Sequence, residues 1–318
     1  MNGTLNLAAL RTLVWFYLGK LKPGRSLVTM LEPGVRAYLD AANPHLLNLR
    51  CRYERVKKPS HSCWSAWENC INLRRFRAEN DYLSQAYFCR TLSRYQLTTA
   101  YVELLDRYDW LHSLSEDGKF GAKLWRVYQD MAVSRDLLDS ILELSWLKEH
   151  MGWDIGETIT LLDIGAGYGR FAHRFVQAFP NGRITCVDAI ATSTFLCDFY
   201  LRYRQCERWI VVPFDGIGEL RSGQFTLATN IHSWSEMSLS WVRLWLDLLS
   251  DLNVPYLFLV PNFADLRTKE VDGSLRDFGN ELRRHSYKCV VKSRKYHRSS
   301  VVDRFGVFPA NYYLFKKN

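Results

Sequence analysis

Apolar positions along the chain follow two rhythms. Up to about residue 150 they recur mainly at helical spacing, broken by turns such as Lys22-Pro23-Gly24, Glu32-Pro33-Gly34 and the stretch 118–121. The last helix of this region is the most clearly marked. Ser134 is placed to cap it, and Asp136 falls in the first turn, where the helix dipole favours a carboxylate. Leu137, Leu138, Ile141, Leu144 and Leu147 then build one apolar face, which is expected to pack on the domain that follows.

From residue 159 onward, short apolar runs alternate with helical patterns, which predicts an open α/β sheet. Strands are expected at 159–164, 183–188, 209–214, 225–231 and 255–260, with helices near 168–179, 192–204 and 237–250 between them. A helix near 274–285 leads to strands at about 287–295 and 305–316, with no helix between them. Two sequential strands joined only by a loop are expected to pair antiparallel. The expected fold class is therefore α/β: a mostly parallel sheet with an antiparallel C-terminal strand pair, plus a helical N-terminal extension. The expected division is 1–150 for the extension and 151–318 for the sheet domain.

Composition narrows the class. A chain of 318 residues with 47% hydrophobic content can fill a substantial core, so global disorder is excluded. The apolar run Leu13–Leu18 is too short to span a bilayer, and neither a basic leader nor a small-residue cleavage site frames it. The expectation is a cytoplasmic protein without a transmembrane segment, peripheral at most to the inner membrane face. The eight cysteines form no C-x-x-C pair and meet no histidine pair at zinc spacing, so free thiols and no metal site are expected. Charge is unevenly spread: residues 1–77 carry a net +9, residues 286–318 a net +7, and the middle a net −7. The basic ends read either as solvated faces or as attraction for an anionic partner such as a phosphorylated glycan, nucleic acid or membrane surface. Arg50, Arg52, Arg55, Lys57 and Lys58 are the densest cluster.

Candidate chemistry begins at "LLDIGAGYGR", residues 161–170, where an apolar strand ends in a glycine-rich turn. A dinucleotide fingerprint places glycines first, third and sixth. Gly165 and Gly167 satisfy the first two, but Arg170 holds the sixth place and the third glycine, Gly169, comes one residue early. Asp163 in the strand repels a pyrophosphate and suits a cationic ligand.

The stretch resembles the first motif, D-x-G-x-G-x-G, of Rossmann-like S-adenosylmethionine-dependent methyltransferases. The resemblance runs over about residues 134–318. It implies S-adenosylmethionine as cofactor, with Asp163, Gly165, Ala166, Gly167 and Gly169 around its amino-acid part. "CVDA" places Asp188 and Ala189 at the end of the second strand, where the family accepts hydrogen bonds from the ribose hydroxyls. "PFDG" places Asp215 and Gly216 at the end of the third, near the adenine amine. Asn230 at the end of the fourth strand belongs to the same set. Arg135 either reaches the cofactor carboxylate or pairs with Asp139 one turn on.

The acceptor is sought in "LATNIHSWSEMS", which follows the fourth strand. The N/D/S-P-P-Y/F signature of adenine and glutamine methylation is absent there, as is a cysteine for attack on a pyrimidine carbon. "NIHSWSEMS", with "VSRDLLDS" earlier, resembles the bacterial sugar O-methyltransferase family. That resemblance implies a sugar-containing acceptor: a polysaccharide, glycolipid or nucleotide-sugar, anionic or membrane-associated. A sugar hydroxyl is barely acidic, so a general base is needed. His232 has the proton affinity for it, with Glu236 to orient it or act in its place. His232 as a helix cap or core hydrogen-bond donor, and Trp234 as packing rather than a sugar platform, stay open. So do an RNA or other small-molecule methyltransferase and a methyltransferase-like protein that binds without catalysis.

Overall fold

The computed structural model describes residues 30–59, 64, 68–78, 82, 91–114, 116–127 and 131–318. The apolar run Leu13–Leu18, the Lys22-Pro23-Gly24 turn, Cys63 and Cys89 lie outside the described residues. The chain forms two compact units that interleave in sequence rather than following a single cut at 150. The first holds the described residues up to Ala37, then Arg74–Gly152 and Lys295–Pro309. The second holds Tyr38–Leu73, Trp153–Arg294 and Ala310–Asn318.

The longer helices are α1 (Pro44–Glu54), α2 (Leu92–Leu105), α3 (Arg135–Met151), α4 (Arg170–Ala178), α5 (Ala191–Tyr203) and α6 (Leu239–Asp251). The main sheet is built from β1 (Thr160–Ile164), β2 (Arg183–Val187), β3 (Trp209–Val212), β4 (Leu227–Ile231), β5 (Tyr256–Val260), β6 (Tyr287–Arg294) and β7 (Asn311–Lys317).

The first unit is helical. Ser134 caps α3 by accepting from the Leu137 N–H at 3.1 Å, and Gly152 closes it in the left-handed conformation. The apolar face of α3 is buried and, within this unit, packs on α2 and the short helix Trp110–Ser113. A second device holds the start of α3: the buried Arg77 donates to Asp136 at 2.9 Å and to Glu116 at 2.7 Å. The late segment 295–309 belongs here because its polar groups end here. Lys295 donates to Asp139 and to the Val307 and Phe308 carbonyls, while Thr98 Oγ1 accepts from the Val307 N–H at 2.9 Å.

The second unit carries the seven-stranded sheet in the order β6-β7-β5-β4-β1-β2-β3. All neighbours are parallel except β7, which runs antiparallel to both β5 and β6. This is the mostly parallel sheet with an antiparallel C-terminal strand pair expected from the sequence. Its inner strands are continuous apolar runs, as in Leu257–Val260, because both faces are covered. Two details differ from the sequence expectation. Residues 274–285 are not one helix: Asp272-Gly273 turns a small hairpin between Arg267–Lys269 and Leu275–Asp277, and only Gly279–Arg284 is helical. The strand expected from 305 starts at Asn311, because Ser299 caps a short helix, Ser300–Phe305, by accepting from the Val302 N–H.

Candidate functional site

The strand order reverses at β1, which has β2 on one side and β4 on the other, so a crevice opens beyond their carboxyl ends. The glycine turn sits at that point. Gly165 has φ +71°, and a Cβ there would stand 2.0 Å from Ser233 Oγ, so no other residue fits. The backbone N–H groups of the turn point inward. Gly165 and Ala166 both donate to the Val187 carbonyl, at 2.8 and 3.3 Å, and Gly169 donates to Ala166 at 2.9 Å. Gly167 donates to Asp188 Oδ2 at 3.0 Å. A phosphate-binding turn keeps these donors for its ligand; this one spends those of Gly165, Ala166 and Gly167 on Val187 and Asp188 at the end of β2, and that of Gly169 within the turn itself.

Two carboxylates flank the turn. Asp163 is buried and accepts from Thr229 Oγ1 at 2.7 Å, its register partner on β4. Desolvation dominates over the Thr229 hydrogen bond and the charge of Arg170, and raises its pKa to about 6. Asp188, at the end of β2, accepts from the Gly167 and Ile190 N–H groups, the latter at 2.9 Å. Burial again outweighs those bonds and raises its pKa to about 7. A carboxylate offers about four lone-pair sites, so two donors leave room for hydroxyls. Ala189 follows it into the start of α5. Asp215 lies in the turn after β3 with Gly216 beside it, and both of its oxygens accept from Arg52, at 2.7 and 2.9 Å.

The segment after β4 is held differently. Asn230 uses its amide as a tie: Nδ2 donates to the Ile164 carbonyl at 2.7 Å and to Ser233, and Oδ1 accepts from the Trp234 N–H. His232 stands at φ +72° with its N–H on the Val260 carbonyl at 2.7 Å, which pins it between the ends of β4 and β5. Its backbone carbonyl, not its side chain, starts the 3-10 turn Ser233–Glu236. Glu236 accepts from the Trp64 indole N–H and from Asn262 Nδ2 at 2.6 Å. Trp234 is buried edge-on against Phe278, so packing is its role.

Sequence reasoning missed the residues that segment 38–73 brings to this unit. Leu46, Leu49 and Tyr53 form the buried face of α1, which packs on α5. Their spacing was the available signal, masked by the basic cluster around them. Glu68 accepts from the Thr192 N–H at 2.9 Å and Oγ1 at 3.0 Å, placing a carboxylate at the N-terminus of α5, and Arg50 donates to the same hydroxyl. Arg135 lies in the other unit. It donates to Asp139 at 3.0 Å and covers the Phe308 ring, so of its two expected roles the structure forms the one-turn pair.

No family model and no curated protein matches the sequence. Solved structures share part of the architecture. The methyltransferase acting on magnesium protoporphyrin IX from Synechocystis PCC 6803, with bound S-adenosylmethionine, is 11% identical over 70% of this chain and 97% of its own, with a TM-score of 0.42. An S-adenosylmethionine-dependent methyltransferase from Aquifex aeolicus is 13% identical over 53% of this chain and 88% of its own, at 0.40. The 4+2 cyclase SpnF is 16% identical over 58% and 83%, at 0.42. Likeness of this degree describes architecture only; the fold assignment rests on the strand order. Among the described residues, no helix is long and apolar enough to cross a membrane.

Proposed function

We infer that the chain is an S-adenosylmethionine-dependent methyltransferase whose acceptor is a sugar hydroxyl of a polysaccharide, glycolipid or nucleotide-sugar. The observation that carries the cofactor reading is the inward-turned glycine loop. With the N–H groups of Gly165, Ala166, Gly167 and Gly169 consumed by protein acceptors, the turn suits a phosphate-free nucleoside rather than a dinucleotide. In this reading Asp188 takes the ribose hydroxyls and Asp215 the adenine amine, while Asp163 faces the amino-acid part and Ala189 and Gly216 line the nucleoside. The cofactor, when bound, supplies an electrophilic methyl group on a sulfonium.

The chain's own contribution at the acceptor is proton removal and alignment. His232 accepts the hydroxyl proton as the oxygen attacks, and Glu236, fixed by Trp64 and Asn262, orients the segment. The left-handed backbone of His232 supports this reading, since such strain in a non-glycine residue concentrates at working sites. Replacing His232 by Ala should lower turnover about 100- to 10,000-fold and leave cofactor affinity unchanged; unaltered turnover would remove His232 from the mechanism. The acceptor class is tested by supplying methyl-labelled cofactor to the protein with separated glycan, nucleotide-sugar, lipid and RNA fractions. Label in the RNA fraction alone would overturn the sugar reading.

A further inference from the structure

A tyrosine from α1 reaches the nucleoside end of the crevice. Tyr53 is 3% exposed, and its hydroxyl meets the Asp188 carbonyl at 3.2 Å, Thr194 Oγ1 at 2.6 Å and the Phe214 N–H at 2.8 Å. A phenol has one hydrogen and two lone pairs. The inventory closes if Phe214 N–H and the Thr194 hydroxyl donate to it while it donates to the Asp188 carbonyl. Burial raises the Tyr53 pKa far above its usual value, so the hydroxyl keeps its proton at any physiological pH.

The groups it joins are remote in sequence but adjacent in purpose. Asp188 ends β2, and Phe214 immediately precedes Asp215 after β3. Neither carboxylate has much freedom to adjust its own position. Asp188 is held by two backbone N–H groups, and both oxygens of Asp215 are engaged by Arg52. The span between the two carboxylates is therefore set by the backbones carrying them, and one buried hydroxyl bridges those backbones.

We propose that Tyr53 is a positioning residue for the nucleoside: it fixes the separation of Asp188 and Asp215 so that both ends of one adenosine are met at once. This rests on the cofactor reading above. A ligand recognised at two ends loses affinity when the span drifts, because satisfying one end then strains the other.

The test is Tyr53→Phe, which keeps the ring and removes the hydroxyl. Calorimetry with adenosine and S-adenosylhomocysteine, below the melting temperature of the variant, should show Kd raised about tenfold for both, the size of one well-placed hydrogen bond. A lowered melting temperature with unchanged Kd would make Tyr53 purely structural and overturn the proposal. Should Tyr53→Phe fail to fold, Thr194→Val removes the partner that orients the hydroxyl, and an adenosine Kd equal to wild type would then overturn it. Asp188→Ala separates the two readings. Adenosine binding lost in that variant but intact in Tyr53→Phe keeps the cofactor site and removes the clamp, whereas no binding by the wild type removes both.

Discussion

Asp163 and Asp188 are carboxylates in surroundings that penalise their charge, and that has a consequence for stability with a definite sign. Asp163 has a pKa of about 6 in the folded protein, against roughly 3.9 for an unfolded aspartate. A raised carboxyl pKa means that the fold prefers the neutral form. The stability it contributes is complete below about pH 4 and is lost as pH rises through about 6. Asp163→Asn keeps an oxygen for the Thr229 hydroxyl and removes the titration. We expect it to gain about 1–3 kcal/mol at pH 8 and almost nothing at about pH 3, read from urea midpoints at the two pH values. An equal gain at both would show that desolvated charge is not the cause. Both aspartates were legible as candidate site residues but their protonation was not, because burial depends on what β2, β4 and α5 bring around them.

At the scale of elements, α3 shows how much a short stretch can specify. Cap, first-turn carboxylate and apolar stripe all agree, and the helix forms where they indicate. Ser134→Ala should lower stability by about 1 kcal/mol, measured by chemical denaturation; a change near zero would mean that the Arg77–Asp136 contact alone secures the helix start. The misread elements have equally local causes. The stretch 274–285 carries a helical apolar pattern, yet Asp272-Gly273 and the Ser274 N–H on the Asp272 carboxylate turn the chain into a hairpin first. Near 305, the Ser299 cap competes with strand propensity and delays β7 by six residues relative to the expected start. At α1, the buried face of Leu46, Leu49 and Tyr53 lies within a run dominated by arginine and lysine, so an element packed against the candidate site read as surface charge.

On the scale of the molecule, the parallel strands and the antiparallel C-terminal pair followed from the alternation of patterns, whereas their order in the sheet and membership of the units did not. Segments 38–73 and 295–309 each join a unit built mostly from distant sequence. What assigns them is long-range: Tyr53 and Glu68 on the ends of β2, β3 and α5, and Lys295 on Asp139. No periodicity within either segment carries that information. The same non-locality governs how the sheet is assembled during synthesis. β7 lies between β5 and β6, although both neighbours leave the ribosome before it, and among the described residues β6 has no other partner in the sheet. Until residues 311–317 emerge, β5 has an open edge and β6 has nothing to pair with. Strands β1, β2 and β4, which carry the candidate site, precede β6 and β7 in the chain, so they can all be present while one flank of the sheet is still unsealed. During that interval the unpaired edges of β5 and β6 are the places open to pairing with another chain.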